Sequence, residues 1–389
     1  MRDFIYYTPT KVIFGKDKHK EVGNIIKEYG FKKIMLMYGK GSVKSSGLFD
    51  EVMNSLNENG IEVIEMGGVE PNPTLIFARK AIEKARENNV EMVLAVGGGS
   101  VIDASKTTAA GVFYDGDVWD FCMNKATPKK ALPTGCILTH SAAGSEMSSF
   151  AVTTKTEINI KRGFSTELNR CLFAICNPEL TYTVSKYQTA CGAVDILAHT
   201  LERYFVPCED TPLTDRVCEG VMKSVVESAK VLMKNPRDYN ARATIMWASS
   251  ISHNDLTGCG RKNYLPVHQL EHAVSGEYQN IAHGAGLAVL IPAWARYVYK
   301  HNVPRFAQFA RGVFDVNEAN DEKAALMGIE SLENFFREIE MPLTLREFDI
   351  PKDCIDRLAD LTTFGRTRTV ETFITLDYEE IKEIFELCW

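Results

Sequence analysis

Between Lys32 and Cys176 the chain alternates short apolar runs with amphipathic ones. The apolar runs are KKIMLMY (32–38), IEVIEM (61–66), EMVLAV (91–96), GCILTH (135–140) and CLFAIC (171–176). Their length and composition predict strands. Most are separated by stretches of helical periodicity, at Lys18 to Tyr29, Leu48 to Asn59 and Thr74 to Asn89. Continuous apolar runs suit strands covered on both faces, so residues 1–182 are expected to form an α/β domain with a doubly wound, mainly parallel, Rossmann-like sheet. Ahead of it, FIYYTPTKVIF (Phe4 to Phe14) is aromatic and β-branched and predicts a strand pair broken at Pro9. That strand offers an edge to a second copy, from which a homodimer is expected.

Beyond Asn177-Pro178-Glu179 the strand patterns stop and helical ones take over, predicting an all-α domain over residues 183–389. Ser185 with Gln188 reads as a capping box that starts its first helix. Pro212, Pro236 and Pro266 punctuate later helices, and the sequence closes on the amphipathic DYEEIKEIFELCW.

Candidate chemistry concentrates in this second half. LPVHQLEHAVSGEYQNIAHGAGLAVLIP carries three of the eight histidines, His268, His272 and His283. Upstream, AVDILAHTLERY places Asp195 and His199 four residues apart, on one face of a helix, and His268 and His272 repeat the spacing. A single such pair is usually a solvent-facing polar stripe. Two pairs, the first set among Ile196, Leu197, Ala198 and Leu201, point instead to a divalent metal held by Asp195, His199 and two of the three later histidines. Imidazoles with one carboxylate suit Fe2+ or Zn2+ and argue against Ca2+ or Mg2+.

Two glycine-bearing turns carry the chemistry of the first half. Gly97, Gly98, Gly99 and Ser100 follow an apolar strand and open a helix, where bare amides at a helix N-terminus suit a phosphate. Asp103 and Lys106 on the next turn add polar groups that a tight turn does not require, and Asp103 is a candidate for cofactor contact and for the reaction itself. The second turn, Gly39-Lys40-Gly41-Ser42-Val43-Lys44, has no acidic residue before Asp50. A carboxylate at such a position bonds the ribose 2′-hydroxyl of NAD and repels a 2′-phosphate, so its absence predicts NADP(H).

Composition narrows the classes. The chain has 389 residues, 45% hydrophobic and 24% charged, with a formal net charge of −7. No basic patch, repeat or Lys/Arg run is present, so nucleic acid is not an expected partner. No stretch reaches the length of a membrane span and the N-terminus lacks a secretory apolar core, so a cytoplasmic location is expected. The ten cysteines are scattered through apolar segments without a C-x-x-C, which predicts buried reduced thiols.

Asp195-x3-His199, His268-x3-His272 and His283-Gly284, preceded by GGGSVID and AAGSEMSSF, resemble the iron-dependent (group III) alcohol dehydrogenase family. YGKGSVK and HGAGLAVLIPAW are similar to its butanol dehydrogenase branch. The resemblance spans nearly the whole chain. It implies a dinucleotide-binding α/β domain with an all-helical metal-binding domain, and hydride exchange between NADP(H) and a primary alcohol or aldehyde such as butanol or butanal. It also implies Asp195, His199, His268 and His283 as metal ligands, with His272 beside them near the nicotinamide as a proton relay. Gly98, Gly99 and Ser100 would hold the pyrophosphate, with Thr139, Ser141 and Lys161 near the cofactor. The sequence departs from the family at His140 and Ala143, in the stretch LTHSAAGSE. The alternatives are a polyol dehydrogenase like glycerol dehydrogenase, a dehydroquinate synthase-like reaction on the same fold, and a non-enzymatic protein that binds a metal or nucleotide.

Overall fold

The computed structural model of the chain describes residues 1–207 and 210–389. It divides into one compact unit of residues Tyr7–Val184 and another of Met1–Tyr6 with Ser185–Trp389.

The first unit is built on β1 (Lys11–Phe14), β2 (Lys33–Gly39), β3 (Glu62–Val69), β4 (Met92–Gly97), β5 (Thr134–Leu138), the pair β6 (Phe150–Lys155) and β7 (Ile160–Ser165), and β8 (Phe173–Cys176). Its helices are α1 (Val22–Glu28), α2 (Ser42–Ser45), α3 (Leu48–Glu58), α4 (Leu75–Glu87), α5 (Gly99–Gly111) and α6 (Trp119–Cys122). Six strands form one sheet in the order β1-β8-β5-β4-β2-β3, every pairing parallel. The continuous apolar runs of β4, β5 and β8 are wholly buried, as a sheet covered on both faces requires. The chain runs outward from β2 to β3 and then returns past β2 to β4, so the sheet changes direction between β2 and β4. The turns that leave these two neighbouring strands are the two glycine turns. In open parallel sheets, ligands bind in the crevice beyond the carboxyl ends of the strands at such a switch point.

The structure corrects one expectation and adds a strand pair. Phe4 to Phe14 forms no strand pair: only Lys11–Phe14 is a strand, laid parallel to β8, and Phe4 to Thr10 has no regular structure. Pro9 cannot donate to a ladder, and the segment before it turns elsewhere, with the Arg2 amide donating to the Gly260 carbonyl at 3.0 Å. The antiparallel pair β6–β7 was not expected from the sequence.

The second unit contains α7 (Lys186–Tyr204), α8 (Pro212–Lys234), α9 (Tyr239–Ser252), α10 (Pro266–Glu277), α11 (His283–Val298), α12 (Val303–Phe314), α13 (Asp321–Glu338), α14 (Ile355–Thr362) and α15 (Tyr378–Leu387). It is helical apart from a two-stranded antiparallel patch, β9 (Val370–Glu371) with β10 (Thr375–Leu376). Helix α7 begins where the Ser185 hydroxyl accepts from the Gln188 amide at 3.2 Å. It is buried all the way round from Thr189 to Tyr204, and α11 is almost as deeply enclosed, so the two are the central helices of this unit. Pro212 and Pro266 open α8 and α10, where a missing amide hydrogen costs nothing. Nine cysteines are described; seven are buried and none of the nine is in a disulfide. The tenth, Cys208, lies outside the described residues. Among the described residues no helix is long and apolar enough to cross a membrane.

Candidate metal centre and nucleotide turns

In the helical unit, α7 contributes Asp195 and His199, α10 contributes His268, and His283 is the first residue of α11. Asp195 Oδ1 is the common point. It lies 3.4 Å from His199 Nε2, 3.5 Å from His268 Nε2 and 3.8 Å from His283 Nε2. Donors that share one ion at bond lengths of about 2.0–2.2 Å stand roughly this far apart. Asp195 Oδ1 and His268 Nε2 are buried atoms with no hydrogen-bond partner, which a folded protein does not leave so without reason. One carboxylate and three imidazoles facing inward therefore fit a divalent ion of the iron or zinc type.

The electrostatics differ from ligand to ligand. Burial, with the crowding of His253, His268 and Arg203, holds His199 well below the usual histidine range, leaving the neutral imidazole that a metal needs. At His268 burial works against the cation, but the carboxylates of Glu202 and Asp195 outweigh it and push it up to about 9. His272 is half-buried, its ring 5.8 Å from that of His283.

Several residues of this site were not anticipated from the sequence. Glu202 and Glu271 are fully buried and bonded to Nδ1 of His268 and His283 respectively. The His253 ring lies 4.1 Å from that of His199, and Arg203 Nη2 meets its Nδ1 at 2.8 Å. The signal that could have found the glutamates is a repeat: His199-Thr-Leu-Glu202 and His268-Gln-Leu-Glu271.

In the sheet unit, Gly98 caps α5 without any side-chain bond to the first-turn amides. A Cβ at Gly97 would fall 2.5 Å from Val101, and one at Gly98 would meet His140 at 3.1 Å. Gly97 is thus required by close packing, Gly98 is tight, and His140 leans on the turn itself. Gly99 and Ser100 begin the helix, and the Thr139 amide donates to the Gly97 carbonyl at 3.0 Å. Ser141 has a buried hydroxyl with no partner. Lys161 lies on β7, with its charge near Asp103. Gly39 ends β2, and Gly41 precedes the short helix that Ser42 opens.

Asp103, expected to contact cofactor and to take part in the reaction, is half-buried on α5. Its Oδ1 accepts from the Ser145 hydroxyl at 2.6 Å and its Oδ2 from the Val152 amide at 3.1 Å. Burial pushes its carboxyl up, against the pull of Lys106. Fully buried Lys106 donates to the carbonyls of Ser145, Ser148 and Phe150 at 2.5, 2.9 and 3.0 Å. Together the two side chains fasten the segment from Ser145 to Val152 to α5.

A parallel sheet with glycine turns at its switch point, and a helical unit with an inward-facing aspartate-histidine set, suit a metal-dependent nicotinamide oxidoreductase. Residues 9–178 match the family described as iron-containing alcohol dehydrogenase, and residues 189–389 match that family's C-terminal domain. The chain belongs to the iron-containing alcohol dehydrogenase family. It is 41% identical to the probable NADH-dependent butanol dehydrogenase 1 of Bacillus subtilis, over 99% of each chain. It is 32% identical to the NADPH-dependent aldehyde reductase YqhD of Escherichia coli, over 97% of each. The crystal structure of NADH-dependent butanol dehydrogenase A from Thermotoga maritima superposes with a TM-score of 0.96, at 36% identity, over 100% of this chain and 99% of that one.

Proposed function

We propose that this member of the family interconverts a primary alcohol and its aldehyde, of the butanol and butanal class, using NADP(H) and one Fe2+ or Zn2+ ion. The observation that carries the reading is the pair of orphaned buried atoms, Asp195 Oδ1 and His268 Nε2, inside a ring of histidines. When bound, the ion supplies Lewis acidity toward the alcohol or aldehyde oxygen. Asp195, His199, His268 and His283 hold it. His272 carries the proton between the substrate oxygen and solvent, since imidazole titrates near neutral pH. Gly97, Gly98, Gly99 and Ser100 receive the pyrophosphate on the amides that open α5, and the Ser141 hydroxyl, Thr139 and Lys161 line the cofactor. Asp103, on the same helix, contacts the cofactor and takes part in the reaction, while its carboxylate also fastens the segment from Ser145 to Val152.

The relatives' names divide between NADH and NADPH, so the coenzyme reading rests on this chain's own turn. Gly39, Gly41 and Ser42 offer amides and a hydroxyl to a 2′-phosphate, with no carboxylate among them. The test follows absorbance near 340 nm with butanal and either NADPH or NADH, before and after dialysis against a chelator. Faster oxidation of NADPH, lost on chelation and restored by Fe2+ or Zn2+, is expected; turnover indifferent to the chelator would overturn the metal reading.

A homodimer is proposed as well. Strand β1 ends the sheet with one edge unpaired among the described residues, and in the other unit Ile5 is 95% exposed. Sedimentation showing only monomer at micromolar concentration would remove it.

A further inference from the structure

The four metal ligands come from three helices, yet their side chains must converge on one point to within a few tenths of an ångström. What fixes the imidazoles of His268 and His283 is a pair of glutamates that the metal itself does not need.

Glu202 lies on α7, one turn beyond His199, and is fully buried. Its Oε1 accepts the amides of Val267 at 2.5 Å and His268 at 3.2 Å, both in the first turn of α10. Its Oε2 is bonded to His268 Nδ1. Glu271 lies on α10, one turn beyond His268, and is also fully buried. Its Oε2 is bonded to His283 Nδ1 and accepts from the Ser275 hydroxyl at 3.3 Å. The sequence H-x-L-E therefore occurs twice, and each glutamate serves a histidine on another helix rather than the one on its own. Gly286 on α11 belongs to the same arrangement, because a Cβ there would lie 3.0 Å from Glu271 Cγ and 3.1 Å from its Oε1.

A carboxylate at Nδ1 has three consequences for an imidazole. It makes Nδ1 the protonated nitrogen, so the lone pair is at Nε2; it fixes the ring plane; and it raises the basicity of the ligand. Both Nε2 atoms then face Asp195 Oδ1, as observed. We propose that Glu202 and Glu271 are positioning residues of the metal centre, each presenting the Nε2 of a histidine on a different helix to the ion. This rests on the reading that Asp195 and the three histidines hold an ion. Glu202 also anchors the N-terminus of α10 to α7, where an anion is favoured, so its loss affects the fold as well. Glu271 accepts no amide of the first turn of α10, the anchor that Glu202 supplies, and so tests the positioning role more directly.

The experiment uses the full-length protein freed of metal and titrated with Co2+ alone, the affinity read by competition with a chromogenic chelator and the geometry from the visible absorption bands. Glu271→Gln keeps the size of the side chain and removes its charge. It should weaken Co2+ binding by about 10–100-fold and shift the bands, with the melting temperature of the metal-free protein unchanged. Glu271→Asp should recover part of the affinity. Glu202→Gln should do the same to Co2+ and also lower that melting temperature; if it does not fold, Glu271→Gln decides. Bands and affinity within threefold of wild type in Glu271→Gln would overturn the proposal. A wild-type protein that takes up no Co2+ would instead overturn the reading of the Asp195 site on which it rests.

Discussion

Gly284 approaches Cys191 so closely that a Cβ at position 284 would lie 2.1 Å from the Cys191 carbonyl oxygen. The contact joins α11 to α7, backbone against backbone, with no flexible side chain to yield. It also sets His283, the residue before the glycine, at its distance from Asp195 four residues beyond Cys191. The glycine is there for the approach of two helices, and the proposed metal centre is built on that approach.

Gly284→Ala must therefore force the two central helices apart. A stability loss of about 1–3 kcal/mol or more is expected, as for other overpacked interiors. His283 should be displaced with it. Urea unfolding and metal content after purification read the two effects, and a variant with wild-type values of both would show that the helices part freely.

Replacing a ligand should be more specific. His268→Ala removes an inward-facing nitrogen and leaves Glu202 buried without its histidine partner. Metal affinity should fall by more than the roughly 100-fold that loss of an outer partner costs, and butanal reduction should fall with it. Elemental analysis after gel filtration checks this; a stoichiometric ion in the variant would mean that His268 is not a ligand.

The buried ion network at the end of α7 makes a pH-dependent prediction. Arg305 Nη1 and Nη2 bond the Asp215 carboxylate at 2.7 and 2.6 Å, and Arg261 bonds it from the other side. The same arginines donate to the carbonyls of Arg203 and Tyr204 at 3.0 Å, closing the helix that carries Asp195 and His199. Burial raises the Asp215 carboxyl, but Arg305 and Arg261 outweigh it and hold it below its ordinary value of 3.8. A depressed carboxyl stabilises the folded state fully above its unfolded value, and that contribution is lost as pH falls through the folded one. Asp215→Asn should cost about 3–5 kcal/mol at neutral pH, because it leaves buried guanidinium charge unmatched. The gap between wild type and variant should hold down to about pH 5 and close only below the carboxylate range, which unfolding at a series of pH values measures.

How much of this was legible depended on where the partners lie. Strands β2, β4, β5 and β8 are buried on both faces, so their sequences are continuous apolar runs and their positions could be read directly. The convergence of Asp195 and His199 was legible because they are neighbours on one helix turn. Glu202 was not, since its partner is sixty-six residues away on another helix and an isolated glutamate on a helix looks like surface. Strands β6 and β7 escaped because FAVTTKTEINIKRGFS mixes lysine, threonine and glutamate into the pair, and Asn159 in the connection takes a left-handed φ of 52°. Phe4 to Thr10 was misread for the opposite reason: aromatic, β-branched composition suggested a strand where the chain has no ladder partner.

The last prediction concerns the coenzyme. Gly39 closes β2, and a Cβ placed on it would meet only the Val69 carbonyl oxygen, at 3.7 Å, so a side chain fits without disturbing the sheet. The two lysines of the turn are already engaged: Lys40 pairs with Glu70 at 2.6 Å, while Lys44 lies 3.6 Å from Glu65 and 4.4 Å from the centre of the Phe49 ring. Exposed pairs of this kind are screened by solvent and contribute little. Recognition of the proposed 2′-phosphate then falls mainly to the turn's amides and the Ser42 hydroxyl, since no carboxylate lies within the turn itself and Glu65 and Glu70 beside it face its lysines. Gly39→Asp introduces a carboxylate there. It should repel NADP(H) while offering an acceptor to the 2′-hydroxyl of NAD(H), lowering the ratio of kcat/KM for NADPH over NADH at least tenfold, about 1.4 kcal/mol. Steady-state kinetics with both coenzymes on wild type and variant test it. A wild type that already prefers NADH, or a ratio untouched by the substitution, would move coenzyme selection away from this turn.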